Sequence, residues 1–124
     1  MALDSRGNLY VVDFGNKRIR RIGTDGIVNT VAGGGTLEPS DGVLATQANP
    51  APHNVAVDRQ DRVLFADGRR IWRVESDGRL TRVAGLGPAG LAPDGALARE
   101  ALMVPFAMSV APNGDIFASE FDPK

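Results

Sequence analysis

The chain has 124 residues, 43% hydrophobic and 23% charged, which is enough for one globular domain with a real core. A formal net charge of −1 provides no overall basic field, so neither nucleic acid nor an anionic membrane is an expected partner. There is no cysteine, which excludes disulfides and thiolate chemistry, and no apolar run approaches the length of a membrane span.

The first residues, "MALDSRGNLY", lack a basic segment followed by an apolar one, so no signal peptide is expected in the chain as written. The 15 glycines and 8 prolines fall between well-formed apolar runs and mark many turns. In chain order, a short first strand is followed by the turn "SRGN" and the strand "NLYVVD", Asn8 to Asp13. The turn "FGNK" leads to "KRIRRI", Lys17 to Ile22, and then Asp25-Gly26 leads to "IVNTVAG", Ile27 to Gly33. Asp-Gly suits the positive φ of a hairpin turn.

The same module then returns. "NVAVD", "RVLFAD", "RIWRVE" and "RLTRVAG" run from Asn54 to Gly85, with Asp77-Gly78 between the last two. "TDGIVNTVAG" aligns with "SDGRLTRVAG" at an offset of 52, and "DGVLATQANPAP" with "DGALAREALMVP" at 53. A third copy of the opening strands, "SVAPNGDIFASE", begins at Ser109. The expected organisation is blade 1 at about 1–33, a connection at 34–52, blade 2 at about 53–85, a connection at 86–104 and a half blade at 105–124.

The segments are too short for helices and rich in β-branched and aromatic residues, and their short linkers force antiparallel pairing. Each unit therefore reads as a four-stranded meander. The second strand, "LYVV" or "VLFA", is apolar at consecutive positions, so both of its faces must be covered. Sheets stacked around an axis provide that cover, which makes the fold class all-β and the units β-propeller blades. Propellers close at four to eight blades. About two and a half blades cannot close a ring, so self-association, or further blades of a longer chain, is expected to cover the open faces.

The combined pattern resembles the longer bacterial type of NHL repeat. The residues carrying the resemblance are Gly7-Asn8, Leu9 to Asp13, Asn16, Arg18 to Ile22, Asp25-Gly26 and Thr30 to Gly33. In the connection they are Asp41-Gly42, Ala45-Thr46, Pro52 and Val55. The second unit departs from the pattern, with no Asn before Arg70 and with Trp72 at a position usually charged. The third has Ala111-Pro112 where Asp is usual. The resemblance implies a propeller that presents a binding surface for a protein, peptide or glycan, and by family analogy an extracytoplasmic setting.

His53 is the only histidine, and its counterpart one unit later is Phe106. Both follow the Pro that ends a connection, a point the propeller reading puts at the rim of the central funnel. His53, Asn54 and Phe106 are therefore the candidate ligand-binding residues. A lone histidine is not a metal site, since catalytic zinc needs about three protein ligands. No catalytic residue, metal or cofactor is expected. Propeller lyases and lactonases, which place His or acidic groups near this rim, supply the competing reading.

The remaining motifs read as structural. Asp4, Asp13, Asp58 and Asp67 end strands, where they cap turns or pair with Arg18 or Arg70. Asp41-Gly42 and Asp94-Gly95 read as turns within the connections. The run Lys17 to Arg21, with Arg69, Arg70 and Arg73, reads as a solvated face rather than a phosphate site. "VAGGG" and "AGLGPAG" follow fourth strands and lack both a following helix and a P-loop lysine, so no nucleotide site is expected.

Overall fold

A computed structural model describes residues 1–68, 70–85 and 105–120; for residues 105–107 and 120 only the backbone is described. Among the described residues, ten strands form three antiparallel sheets. The first contains β1 (Ala2–Leu3), β2 (Leu9–Asp13), β3 (Arg18–Ile22) and β4 (Val28–Gly33), ordered β1-β2-β3-β4. The second contains β5 (Pro52–Val57), β6 (Val63–Asp67), β7 (Arg70–Val74) and β8 (Leu80–Ala84) in the same order. The third pairs β9 (Pro105–Val110) with β10 (Ile116–Glu120). The chain is all-β, with two whole propeller blades and the first two strands of another. The Asp94-Gly95 turn and the second connection lie outside the described residues.

One turn recurs five times among the described residues. In Asp4–Asn8, Gly23–Ile27, Asp58–Arg62, Glu75–Arg79 and Ala111–Asp115, the first residue's N–H donates to the fifth carbonyl. The fourth N–H donates back to the first carbonyl. The fourth position has a φ of +60° to +95° in every case, and Gly holds it in four. This left-handed geometry is why Asp-Gly recurs, since a side chain there is strained. The exception is Asp61, at φ 60°, and its carboxylate has a compensating task. It accepts Ser5 N (2.9 Å) and Ser5 Oγ, which ties the blade 2 turn to the equivalent turn of blade 1.

Packing follows the two-residue alternation of the strands. Tyr10, Val12, Ile19 and Ala32 of blade 1 meet Val55, Val63, Phe65, Trp72 and Leu80 of blade 2 in one apolar cluster. The intervening residues of blade 2, Leu64, Ala66, Ile71 and Ala84, meet Met108 and Val110 of the half blade in a second. Val63, Leu64, Phe65 and Ala66 of β6 are all buried for this reason.

The connection after β4 is part of the same core. It lies along β8 through the pairs Gly42 N to Leu80 O, Leu80 N to Val43 O and Ala45 N to Gly78 O. That path places Ala45 and Ala48 inside the first cluster. Asp41 Oδ1 accepts Arg82 N at 2.7 Å, so its carboxylate also joins connection to strand. Gly35 lies so close to this segment that a Cβ would stand 2.1 Å from the Gln47 carbonyl.

Phe65 is fully buried between the blades. Phe65→Ala is expected to lower unfolding free energy by about 3–5 kcal/mol. Gly35→Ala is expected to destabilise as well, because backbone must move. Urea denaturation followed by Trp72 fluorescence checks both, and a loss under about 1 kcal/mol for Phe65→Ala would contradict the inter-blade core.

Candidate functional site

His53 is the second residue of β5, not a loop residue, and the local backbone sets it apart. Pro52 pairs with Asp67 and Asn54 with Ala66, so His53 is the extra residue of a β-bulge. The same irregularity recurs in the half blade, where Pro105 pairs with Glu120 and Ala107 with Ser119, leaving Phe106 as the extra residue. Bulges re-aim one side chain and often border binding sites. Sequence alignment alone made His53 and Phe106 counterparts; the shared bulge is visible only in the register.

The His53 side chain is half-buried, and its Nε2 lies 3.4 Å from the carbonyl of Gly68 in the β6–β7 turn. That is a long, weak hydrogen bond. With Nε2–H donating, Nδ1 is left as the acceptor of the ring. Asn54 beside it is also half-buried. A network of which the sequence showed only the Asp67–Arg70 pair supports this end of blade 2. The buried Asp67 accepts Ala51 N at 3.1 Å and Arg70 Nη2 at 3.3 Å. Arg70 also pairs with Glu38 at 3.6 Å and stacks over Trp72, 5.2 Å from the ring centroid. The Trp at a usually charged position was the available signal, because an indole face there invites a neighbouring guanidinium.

The other acidic candidates do not converge on His53. Asp58 lies beyond the far end of β5, roughly 16 Å along the strand by the usual rise per residue. Its carboxylate accepts Gln60 N, Arg62 N and Arg62 Nε, all within its own turn. Asp4 does the same in blade 1, taking Arg6 N, Asn8 N, Asn8 Nδ2 and the Tyr10 hydroxyl. Asp13 accepts Asn16 Nδ2 and pairs with Arg20 at 3.5 Å. It does not pair with Arg18, the residue directly opposite, because that guanidinium runs beneath Gly34. The Asp67–Arg70 pair matches the expectation. Among the described residues, no three His, Cys, Asp or Glu side chains gather in a metal-binding group.

Two clefts open at the end of the blades where Asp4 and Asp58 lie. One, of about 460 Å³, separates blades 1 and 2 and is lined by Tyr10, Arg21, Thr46, Asp61 and Glu75 among others. The other, of about 430 Å³, separates blade 2 from the half blade and includes Arg59, Arg62, Arg73 and Asn113. Burial raises the Glu75 carboxyl, but the hydrogen bonds from Arg73 and Thr81 and the charges of Arg73 and Arg62 outweigh it and hold the group below its ordinary value. Burial likewise raises Asp4, and the donors from Asn8, Arg6 and Tyr10 outweigh it, so Asp4 is also lowered. The Tyr10 hydroxyl is raised, first by burial and then by its hydrogen bond to Asp4 and that carboxylate's charge.

No family model and no curated protein matches the chain. Solved structures do. A protein of unknown function from Bacteroides thetaiotaomicron aligns at a TM-score of 0.75 and 24% identity, over 92% of this chain and 30% of that one. A gluconolactonase from Xanthomonas campestris aligns at 0.65 and 22%, over 96% and 33%. A virginiamycin B lyase from Staphylococcus aureus, catalytically inactive and bound to quinupristin, aligns at 0.58 and 17%, over 95% and 32%. The likeness is one of fold, and this chain spans about a third of the length of each.

The Asp4–Tyr10 pair has a pH signature at both ends of the scale. Asp4 is lowered on folding, so its contribution is present above the ordinary carboxylate range and is lost as pH falls through its lowered value. Tyr10 is raised, so its contribution is lost as pH rises through its raised value. Tyr10 is the only tyrosine, so phenolate absorbance reads it alone. Asp4→Asn is expected to shift that titration downward and to flatten the acid loss of stability; an unmoved Tyr10 midpoint would refute the coupling.

Proposed function

We propose that these blades are of the NHL type and form part of a non-catalytic binding scaffold, whose ligand-facing rim includes His53, Asn54 and Phe106. The observation that carries this reading is the repeated bulge. It sets one residue out of the strand pairing at the same point of two successive units, and the residue differs between units, His in one and Phe in the next. A constant backbone device displaying variable side chains suits a recognition surface, in which each blade contributes one contact. The NHL assignment is supported by the recurring Asp-Gly turn, by the Arg–Ile alternation of β3 and by the small residues Ala45 and Ala48 that seat the connection in the core. A protein, peptide or glycan is the ligand class a half-buried imidazole, an amide and an aromatic residue would recognise together.

The second reading is a lactonase- or lyase-type propeller enzyme in which His53 joins a metal or acid–base site. The named activities of two fold neighbours favour it. Against it, Asp4 and Asp58 are engaged by their own turns, Asp13 by Asn16 and Arg20, and Asp67 by Ala51 N and Arg70. Among the described residues, the contact of the His53 ring is with a backbone carbonyl, that of Gly68.

Immobilised peptide and glycan panels test the first reading. Retention by the chain is expected to fall at least tenfold with His53→Ala or Asn54→Ala while the thermal midpoint stays unchanged. Hydrolysis of gluconolactone in the presence of divalent metal ions, abolished by His53→Ala, would overturn it in favour of the enzyme.

A further inference from the structure

The cleft between blades 1 and 2 gathers two residues that depart from the repeat. Arg21 of β3 stands opposite Tyr10 in the register, and its counterpart in blade 2 is Arg73. Arg73 donates through Nε to Glu75, two residues on, at 2.6 Å. Blade 1 has Gly23 at the position of Glu75, so the partner that blade 2 supplies is missing there. Among the described residues the Arg21 guanidinium makes no hydrogen bond and no ion pair, and its Nε is shielded from water as well. A half-buried guanidinium without an acceptor is costly, which makes it a ready anchor for an anionic group.

Asp61 is the second departure. It holds the left-handed position of its turn at φ 60°, where the other four turns have Gly. Strain of this kind collects at ligand-binding sites. Each of its carboxylate oxygens accepts one hydrogen bond from Ser5, a neutral residue, and keeps a lone pair.

Arg21 and Asp61 line the same cleft, of about 460 Å³, and no ion pair joins them. Its walls belong to the two whole blades and to the connection between them. The other charges there are satisfied: Glu75 pairs with Arg62 at 3.4 Å and with Arg73 at 2.6 Å, and Arg62 also pairs with Asp58 at 2.8 Å. Asp4 and Arg6 line a smaller adjoining hollow, where their charges offset each other. Val31, Leu44, Val63 and Val74 give the cleft an apolar side.

We propose that this cleft binds a small zwitterion, a free amino acid or a dipeptide with an apolar side chain. Arg21 takes the carboxylate, Asp61 takes the ammonium, and the side chain lies against the valines and Leu44. A simple anion would face the Asp61 carboxylate and a simple cation the Arg21 guanidinium, so a ligand carrying both charges is the one that meets a partner at each. The volume falls in the range of small-molecule pockets, roughly 300–1,000 Å³. The cleft lies at the opposite end of the blades from His53 and is a separate site from the rim.

Titration calorimetry with leucine and with Leu-Gly tests this, against isocaproate, which lacks the ammonium, and isoamylamine, which lacks the carboxylate. At least one of the two zwitterions is expected to bind at a single site, and the tighter of them names the source, free amino acid or peptide. Both stripped analogues are expected to bind about tenfold more weakly or worse, as the loss of one charge-assisted contact implies. Arg21→Gln and Asp61→Gly are each expected to weaken the zwitterion by a similar factor, and Asp61→Gly restores the residue the turn prefers. The absorbance of Tyr10, the only tyrosine and part of the lining, is expected to change on binding. Trp72, the only tryptophan, is fully buried outside the lining, so its unshifted emission shows that both variants are folded. No binding of either zwitterion, an analogue that binds as tightly, or an affinity unmoved by both substitutions would each overturn the proposal.

Discussion

Val63, Leu64, Phe65 and Ala66 are consecutive and all buried, although a strand sends successive side chains to opposite sides. Both sides of blade 2 must therefore be covered by apolar surface, and this requirement organises the rest of the molecule. Blade 1 covers Val63 and Phe65, while β9 of the half blade covers Leu64 and Ala66. The sheets stack face to face because no smaller arrangement removes both sides of β6 from water. Placing the four strands of each unit in simple sequential order keeps every linker within a unit short. It also leaves one long connection per unit to step from one blade to the next.

The turns and the connection serve that stacking. A turn with one left-handed residue reverses the chain without widening the sheet. Asp61 accepts the strain of that position while its carboxylate holds Ser5 of the neighbouring blade. The connection contributes core residues as well as covalent linkage, since Ala45 and Ala48 fill space between the blades that larger residues would overfill. The two ends of a blade then differ in character. At one end, aspartates cap their own turns and line open clefts. At the other, a bulge releases His53 from the pairing beside a buried Asp67–Arg70 network. Such asymmetry keeps one end of the repeated unit uniform and leaves a residue at the other free to vary from unit to unit.

The same logic gives the outer faces their meaning. An apolar stripe on the surface is ordinarily a scattered feature with no consequence. Here Leu3, Leu9, Val11, Ile22 and Val28 repeat, one unit earlier, the apolar stripe of blade 2 that packs against blade 1.

Much of this was legible in the residues. The repeat offset, the Asp-Gly turns, the doubly apolar second strand and the meander order all follow from local chemistry, because strand period, turn geometry and loop length act over a few residues. What the sequence could not supply were the relations that depend on register and on side-chain packing. Which of two arginines meets Asp13, and that Asp67 is buried beside Arg70, are decided by where the side chains pack; that His53 and Phe106 stand in equivalent bulges is decided by a one-residue shift between paired strands. Such a shift leaves composition and periodicity unchanged and redirects the side chains, so only the assembled sheets could determine it.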